Sequence, residues 1–282
     1  MISPATLRLR VKTLPSLPST VVALGEAVGD ERCSVDRVLG ILSKDPSISA
    51  ALLRLANSAF YAGDQQVRDL RTAVLRMGFE AVLNLGRSAA VIRAFKDAKN
   101  LDPMRLWQHS VAVGLVAKGI CRMTGNQGRS ETAFLAGLLH DVGKIALDRC
   151  FPEEYAPVVA AIAEGGMGLD IELELLGITH AEVGGILAAQ WNFPDDLVQV
   201  IRHHHAPEVG DYLSSLIFLC DLLVRTRIPN GPADESISFV LSELPAFKEV
   251  FGTRDLDLEH LTFSIDDELD HATSFVQMAF QD

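Results

Sequence analysis

Aromatic side chains are scarce in this chain, at 6% of residues, while Ala, Leu and Val dominate. That mix suits helices packed on helices better than a sandwich or a barrel. Cysteine is thin as well. Cys33, Cys121, Cys150 and Cys220 are scattered with no C-x-x-C pair, which speaks against a disulfide framework and for buried free thiols in a reducing cytosol. Positive charge is the third shortage: 25 Lys and Arg stand against 37 Asp and Glu, a net −12. Such a field repels phosphate backbones, and no Lys/Arg run interleaved with aromatics offsets it, so nucleic acid is not expected as a partner. Long apolar runs are missing too. Leu213–Val224 falls short of the ~20 residues of a membrane span and is interrupted by Asp221. Met1–Lys12 lacks the apolar segment and small-residue cleavage site of a secretory signal. The expectation is a soluble, cytoplasmic chain with no membrane partner.

What is present is enough apolar material for a core, 48% of 282 residues, in one large domain or two of ordinary size. Helix punctuation recurs. Asp45-Pro46 and Asp102-Pro103 each set an N-cap before a first-turn proline. Thr179-His180-Ala181-Glu182 is a capping box opening the run to Trp191, and Pro152 and Pro194 start further helices. Apolar spacing is three and four: Leu52, Leu55 and Ala56 share a face, as do Val111, Leu115 and Val116. The reading is an all-α chain of roughly a dozen helices, without repeats or low-complexity segments. A weak boundary is expected around Asn100–Pro103, a loop at Pro229–Ala233, and an acidic amphipathic cap toward Asp282.

The residues that carry chemistry sit in apolar surroundings. His140-Asp141 ends an apolar helical run and is followed by Val142-Gly143-Lys144. Burying a His-Asp pair is costly unless it is paired, hydrogen-bonded or bound to metal. His109 lies early in the helix opened by Asp102-Pro103. His180 occupies the first turn after Thr179. His203, His204 and His205 close the next helix, and Asp221 interrupts an apolar stretch. Taken singly, each has a bland explanation. A helical His is often a hydrogen-bonded core residue, Asp221 has Arg225 within reach, and a His run suits a helix C-terminus. Taken together, six of eight histidines and two aspartates could be gathered by a bundle into one pocket. Neutral imidazoles with carboxylates are the ligand mix of Fe, Mn, Co, Ni or Zn. A carboxylate such as Asp141 could bridge two ions about 3.5–4 Å apart, the arrangement that activates water at phosphorus. His260 and His271 fall in the acidic tail and are expected at the surface.

The N-terminal half resembles the HDOD family, a regulatory branch of the HD superfamily. The marks are Leu14-Pro15-Ser16-Leu17-Pro18, Lys44-Asp45-Pro46-Ser47-Ile48, the stretch Leu52-Leu53-Arg54-Leu55-Ala56-Asn57-Ser58-Ala59-Phe60-Tyr61, and Thr72-Ala73-Val74-Leu75-Arg76-Met77-Gly78. The resemblance runs from about Leu14 to Pro207. It implies an HD-type multi-helix bundle with an N-terminal helical subdomain: an HDOD domain over 12–210, its halves meeting near 100–101, then a C-terminal helical extension over 211–282 contributing Asp221. It also implies signalling roles, generally without established catalysis.

Across the ligand set the chain is similar to HD-GYP phosphodiesterases. Lys144 matches the lysine of H-D-x-G-K, and His180 to Leu187 matches H-x-x-x-G-x-x-L. This resemblance puts His109, His140, Asp141 and Asp221 on one ion and Asp141, His180, His204 and His205 on another, with Fe or Mn ahead of Zn, Ni or Co. Asp141 and Lys144 would be the catalytic pair, Lys144 meeting a phosphate oxygen as a point charge. The G-Y-P loop of those enzymes is absent; Ala206-Pro207-Glu208-Val209-Gly210-Asp211-Tyr212 stands there instead. Two functions follow: a signalling module working through separate protein partners, with a dinuclear metal site, or a metal-dependent phosphohydrolase acting on a phosphorylated small molecule or nucleotide. An oxygen-using di-iron enzyme is a lesser alternative on the same ligands.

Overall fold

The computed structural model describes residues 1–58, 61, 66–227, 243–252 and 258–281, with side chains of the last helix described from 267 onward. Every regular element among the described residues is helical. The loop expected at Pro229–Ala233 and the His260 side chain lie outside the described residues. His271, expected at the surface, is half-buried on the last helix. No described helix is long and apolar enough to cross a membrane.

The chain divides into two compact units. One comprises Pro15–Lys96 with Asp270–Asp282, the other Met1–Leu14 with Asp97–Leu269. The first is built from α2 (Ser19–Val28), α3 (Val35–Leu42), α4 (Pro46–Ala56), α5 (Leu70–Met77) and α6 (Phe79–Ala94). Its caps are local. Asp45 accepts from Ile48 N at 3.0 Å and Asp69 from Thr72 N at 2.8 Å, each satisfying an otherwise orphaned helix N–H. The Asn57 amide pairs both ways with the Val67 backbone at 2.8 Å, standing in for a strand partner where α4 ends. Leu24, Leu42, Leu52, Leu55 and Leu85 fill the core.

The second unit holds α1 (Pro4–Val11), α7 (Pro103–Met123), α8 (Ser130–Leu139), α9 (Val142–Cys150), α10 (Pro152–Ala163), α11 (Gly168–Leu176), α12 (His180–Gln190), α13 (Asp195–His203), α14 (Tyr212–Arg225) and α15 (Pro245–Phe251). The final helix, α16 (Leu258–Phe280), contributes to both units. More helices are present than the dozen expected, because α8 to α13 are cut into short segments of nine to twelve residues.

Two backbone contacts set this unit's geometry. A Cβ on Gly137 would lie 2.5 Å from the Cα of Gly114, and one on Gly114 would lie 2.5 Å from the Phe134 carbonyl, so α7 and α8 touch main chain to main chain. A Cβ on Gly143 would fall 1.8 Å from the His180 carbonyl, and Gly143 also faces Gly184, so α9 and α12 meet likewise. Glycine costs about 1 kcal/mol against alanine inside a helix. Here it is the residue that permits these approaches.

Candidate metal centre

The Gly114–Gly137 contact brings together the helix carrying His109 and the helix that His140 terminates. The Gly143–Gly184 contact sets the turn after Asp141 against the first turn of α12, where His180 sits. The Thr179 capping box is present, with the hydroxyl accepting from Glu182 N and Glu182 accepting from Thr179 N. It aims the first residue of α12 inward. His204 follows the last residue of α13, and α14 places Asp221 on the same pocket.

The other six expected ligands gather around Asp141, five histidines directly and Asp221 by way of His109 and His140; six of the seven are fully buried and His205 is half-buried. One oxygen, Oδ2, faces His140 Nε2 at 3.3 Å and His109 Nε2 at 3.8 Å. The other, Oδ1, faces His180 Nε2 at 3.2 Å and His204 Nε2 at 3.8 Å. His205 Nε2 lies 2.9 Å from His180 Nε2. Asp221 Oδ1 is 2.9 Å from His109 Nε2 and 3.6 Å from His140 Nε2. Two groups able to hold an ion result: Asp141, His180, His204 and His205, and His109, His140 and Asp141 with Asp221 beside them. His203 joins neither group.

The hydrogen bonds around the rim decide which way the imidazoles present their lone pairs. His140 Nδ1 donates to the Gly137 carbonyl at 2.6 Å and His204 Nδ1 to the Ile201 carbonyl at 2.8 Å; a carbonyl can only accept, so these nitrogens carry the protons. His180 Nδ1 donates to Glu172 at 2.8 Å. In each neutral ring Nε2 is then a bare acceptor pointing at carboxylate oxygens that are acceptors too. His140 Nε2, His204 Nε2 and Asp141 Oδ1 are buried without a hydrogen-bond partner. Acceptors facing acceptors in a dry pocket repel unless a cation, a proton or a metal ion, lies between them. The residues therefore fit a metal, and the outward Nδ1 bonds are the orienting contacts that metal-binding histidines characteristically make.

The electrostatics divide the imidazoles into two kinds. Burial alone would raise the Asp141 carboxyl, but the charges of His140 and Lys144 outweigh it and hold it well below the usual carboxylate range. Lys144 Nζ donates to Asp141 Oδ2 at 3.0 Å. Burial works against the Asp221 carboxylate too and is overcome by Arg225, whose guanidinium grips both oxygens at 2.7 and 2.9 Å. Burial, reinforced by the neighbouring imidazoles, pushes His204 far down and His205 to about 2, which keeps both in the neutral ligand form. Against their burial, His140 is pushed up to about 9 by the carboxylates of Asp141 and Asp221, and His180 is raised by Glu172 and Asp141, so without an ion these two rings favour an extra proton that a metal would displace.

Three positioning residues escaped the sequence reading. Buried Glu172, on α11, accepts from both His180 N at 2.7 Å and His180 Nδ1, and from the Tyr155 hydroxyl at 3.4 Å. Buried Asp148, at the far end of α9, accepts from Lys99 N and from the Asn100 backbone and amide at 2.6–3.1 Å, fixing the chain just before Asp102 caps the His109 helix. The third is Tyr155, whose burial and neighbouring Glu172 drive its hydroxyl well above its ordinary range, so it remains a donor. A cavity of about 310 Å³ reaches the centre, with Lys144, His180, His205 and Asp221 in its wall.

A helical HD-type bundle with His and Asp gathered at its core is the class that fold and site define. Residues 14–207 match the HDOD domain family model, and the chain belongs to that family, within the HD superfamily. An uncharacterized protein of Treponema pallidum (strain Nichols) is 26% identical over 243 residues, 84% of this chain and 47% of that relative; the chain thus spans about half of its length. The crystal structure of an HDOD domain protein of unknown function from Geobacter sulfurreducens superposes with a TM-score of 0.81 at 24% identity, covering 99% of both chains. A candidate phosphohydrolase from Shewanella amazonensis SB2B superposes with a TM-score of 0.78 at 27% identity, covering 98% of both.

Proposed function

We propose that this chain carries a metal-dependent phosphohydrolase centre of HD type. The observation that supports it most is the shell of inward-facing Nε2 and carboxylate acceptors around Asp141, beside a cavity that reaches it. His109, His140, Asp141 and Asp221 would hold one divalent ion, and Asp141, His180, His204 and His205 the second. Ions bound there would supply Lewis acidity, lowering the pKa of water and offsetting charge at phosphorus. Imidazole and carboxylate suit several first-row metals, with Fe and Mn the first to test.

The chain's own residues would prepare the chemistry. Glu172 holds the Nδ1 proton of His180, so that Nε2 faces inward. Arg225 fixes both oxygens of Asp221, and the carbonyls of Gly137 and Ile201 orient His140 and His204. Lys144 sets a positive charge at the floor of the cavity, where it would offset charge developing on a phosphoryl oxygen. Burial of Asp141, Asp221 and the imidazoles of His109, His140, His180 and His204 weakens the screening of these charges by water.

A second reading, a signalling module whose metal centre is sensory, is favoured by the segment after His205, which has Ala206–Tyr212 where HD-GYP enzymes carry their substrate loop. One experiment separates the two. Elemental analysis of the purified chain should find about two transition ions per chain, the number that the two ligand groups hold. Turnover of bis-aryl phosphates and cyclic nucleotides with Mn or Fe should fall on the order of a thousandfold in Asp141→Asn, the loss of several kcal/mol of charge stabilisation. A natively helical, metal-free protein sinks the metal centre. Metal without turnover above the Asp141→Asn control leaves the signalling module.

A further inference from the structure

Helix α10 carries Tyr155, Val159 and Ile162 on one stripe, at a spacing of four and three, and α14 carries Phe218 and Leu222 at a spacing of four. Stripes of this kind normally close on one another. Here they flank the cavity of about 310 Å³, and Val159, Ile162, Phe218 and Leu222 stay half-exposed. The floor between them is His180, His205, Asp221 and Lys144. A greasy slot thus ends on the centre proposed above.

Its charges limit what can enter. The two cations in the wall, Lys144 and Arg225, each pair with a ligand carboxylate, Asp141 and Asp221 respectively. Asp170 and Glu172 add negative charge to the same wall. Around it, the segments Met1–Leu14 and Asp97–Leu269 hold 15 Lys and Arg against 27 Asp and Glu. A polyphosphate or a nucleic-acid strand needs a basic track, and among the described residues none lines this slot. Its volume is at the small end of ligand pockets.

We infer that this site takes a small monophosphoryl ester whose organic group is apolar, the phosphoryl end at the His/Asp floor and the apolar group between α10 and α14. The assignment rests on the phosphohydrolase reading for the chemistry at the floor, but the fit of the apolar group is a separate property of the slot.

The test uses the full chain loaded with Mn, two phosphonates that cannot be hydrolysed, and two phosphoesters, ribose 5-phosphate and a cyclic dinucleotide, whose integrity is checked after each titration. Calorimetry should show phenylphosphonate binding on the order of tenfold or more tighter than methylphosphonate, from burial of the ring, and also tighter than ribose 5-phosphate. Ile162→Asp, at a half-exposed wall position, should erase that preference; Ile162→Ala, checked for native helicity alongside it, should reduce it. Equal affinities, a preference for the sugar phosphate or a cyclic dinucleotide, or no phosphonate binding at all would each overturn the assignment. Retained selectivity for phenylphosphonate without turnover of any phosphoester would leave the slot standing and remove the phosphohydrolase reading.

Discussion

The interiors of the two units differ in kind. In the unit built on α2–α6, the fully buried polar side chains among the described residues are Ser58, Asn84 and Ser88, all uncharged. In the unit built on α7–α14, the buried set includes His109, Lys118, His140, Asp141, Lys144, Asp148, Glu172, His180, His204 and Asp221. Formal charge is partitioned the same way. The first unit's segments balance ten basic against ten acidic residues, so the whole net −12 falls on the second. Burying a charge costs several kcal/mol unless it is matched, so one unit is a scaffold of ordinary apolar helices and the other carries a cost that a ligand can offset. Both units hold an apolar core, and among the described residues the buried charge falls in the second.

That contrast can be broken by experiment, beginning with the largest effect. Stripping divalent ions with a chelator should remove about 3–4 kcal/mol from the unit containing the His/Asp cluster, the linkage expected at a few hundred to a thousand times Kd. Hydrogen exchange would read it as lost protection in α7–α9 and α12–α14 with α2–α6 unchanged. Equal loss in both units would contradict the division. Gly143→Ala should destabilise by about 2 kcal/mol or more, since its Cβ would fall on the His180 carbonyl; chemical denaturation measures it, and a neutral outcome would mean that the α9–α12 contact is soft. Glu172→Gln keeps the side chain's shape but weakens the hold on the His180 Nδ1 proton. Metal affinity should drop roughly 10- to 100-fold, read by competition with a chromophoric chelator, while the melting temperature of the apo form moves little. At the small end, Gly40→Ala in α3, where a Cβ would meet nothing within 4 Å, should raise stability by about 0.5–1 kcal/mol. That gain should come without any change in metal content.

The same contrast explains what could be read in advance. Caps are local, so Asp45, Asp102 and Thr179 announced their helices from three or four neighbouring residues. The ligands were legible because His and Asp are conspicuous in apolar runs: Asp221 among leucines, His140-Asp141 after Leu138-Leu139. Glu172 carries no such mark. Helix α11 has acids at Asp170, Glu172 and Glu174, and only the packing of Tyr155 and His180 around the middle one selects it. Asp148 is silent for the same reason, its partners Lys99 and Asn100 lying 48 or 49 residues away. The glycines were visible as letters of the H-D-x-G-K and H-x-x-x-G-x-x-L patterns, but not as each other's partners. Gly114 and Gly137 stood in no pattern at all.

Those two glycine contacts bear on how sharply the centre is defined. A side chain between helices is a cushion: it can change rotamer and absorb a shift of half an ångström. Where peptide rests on peptide there is no cushion, and the spacing of α7 from α8 and of α9 from α12 is held to main-chain tolerance. The imidazoles that these helices carry inherit that tolerance.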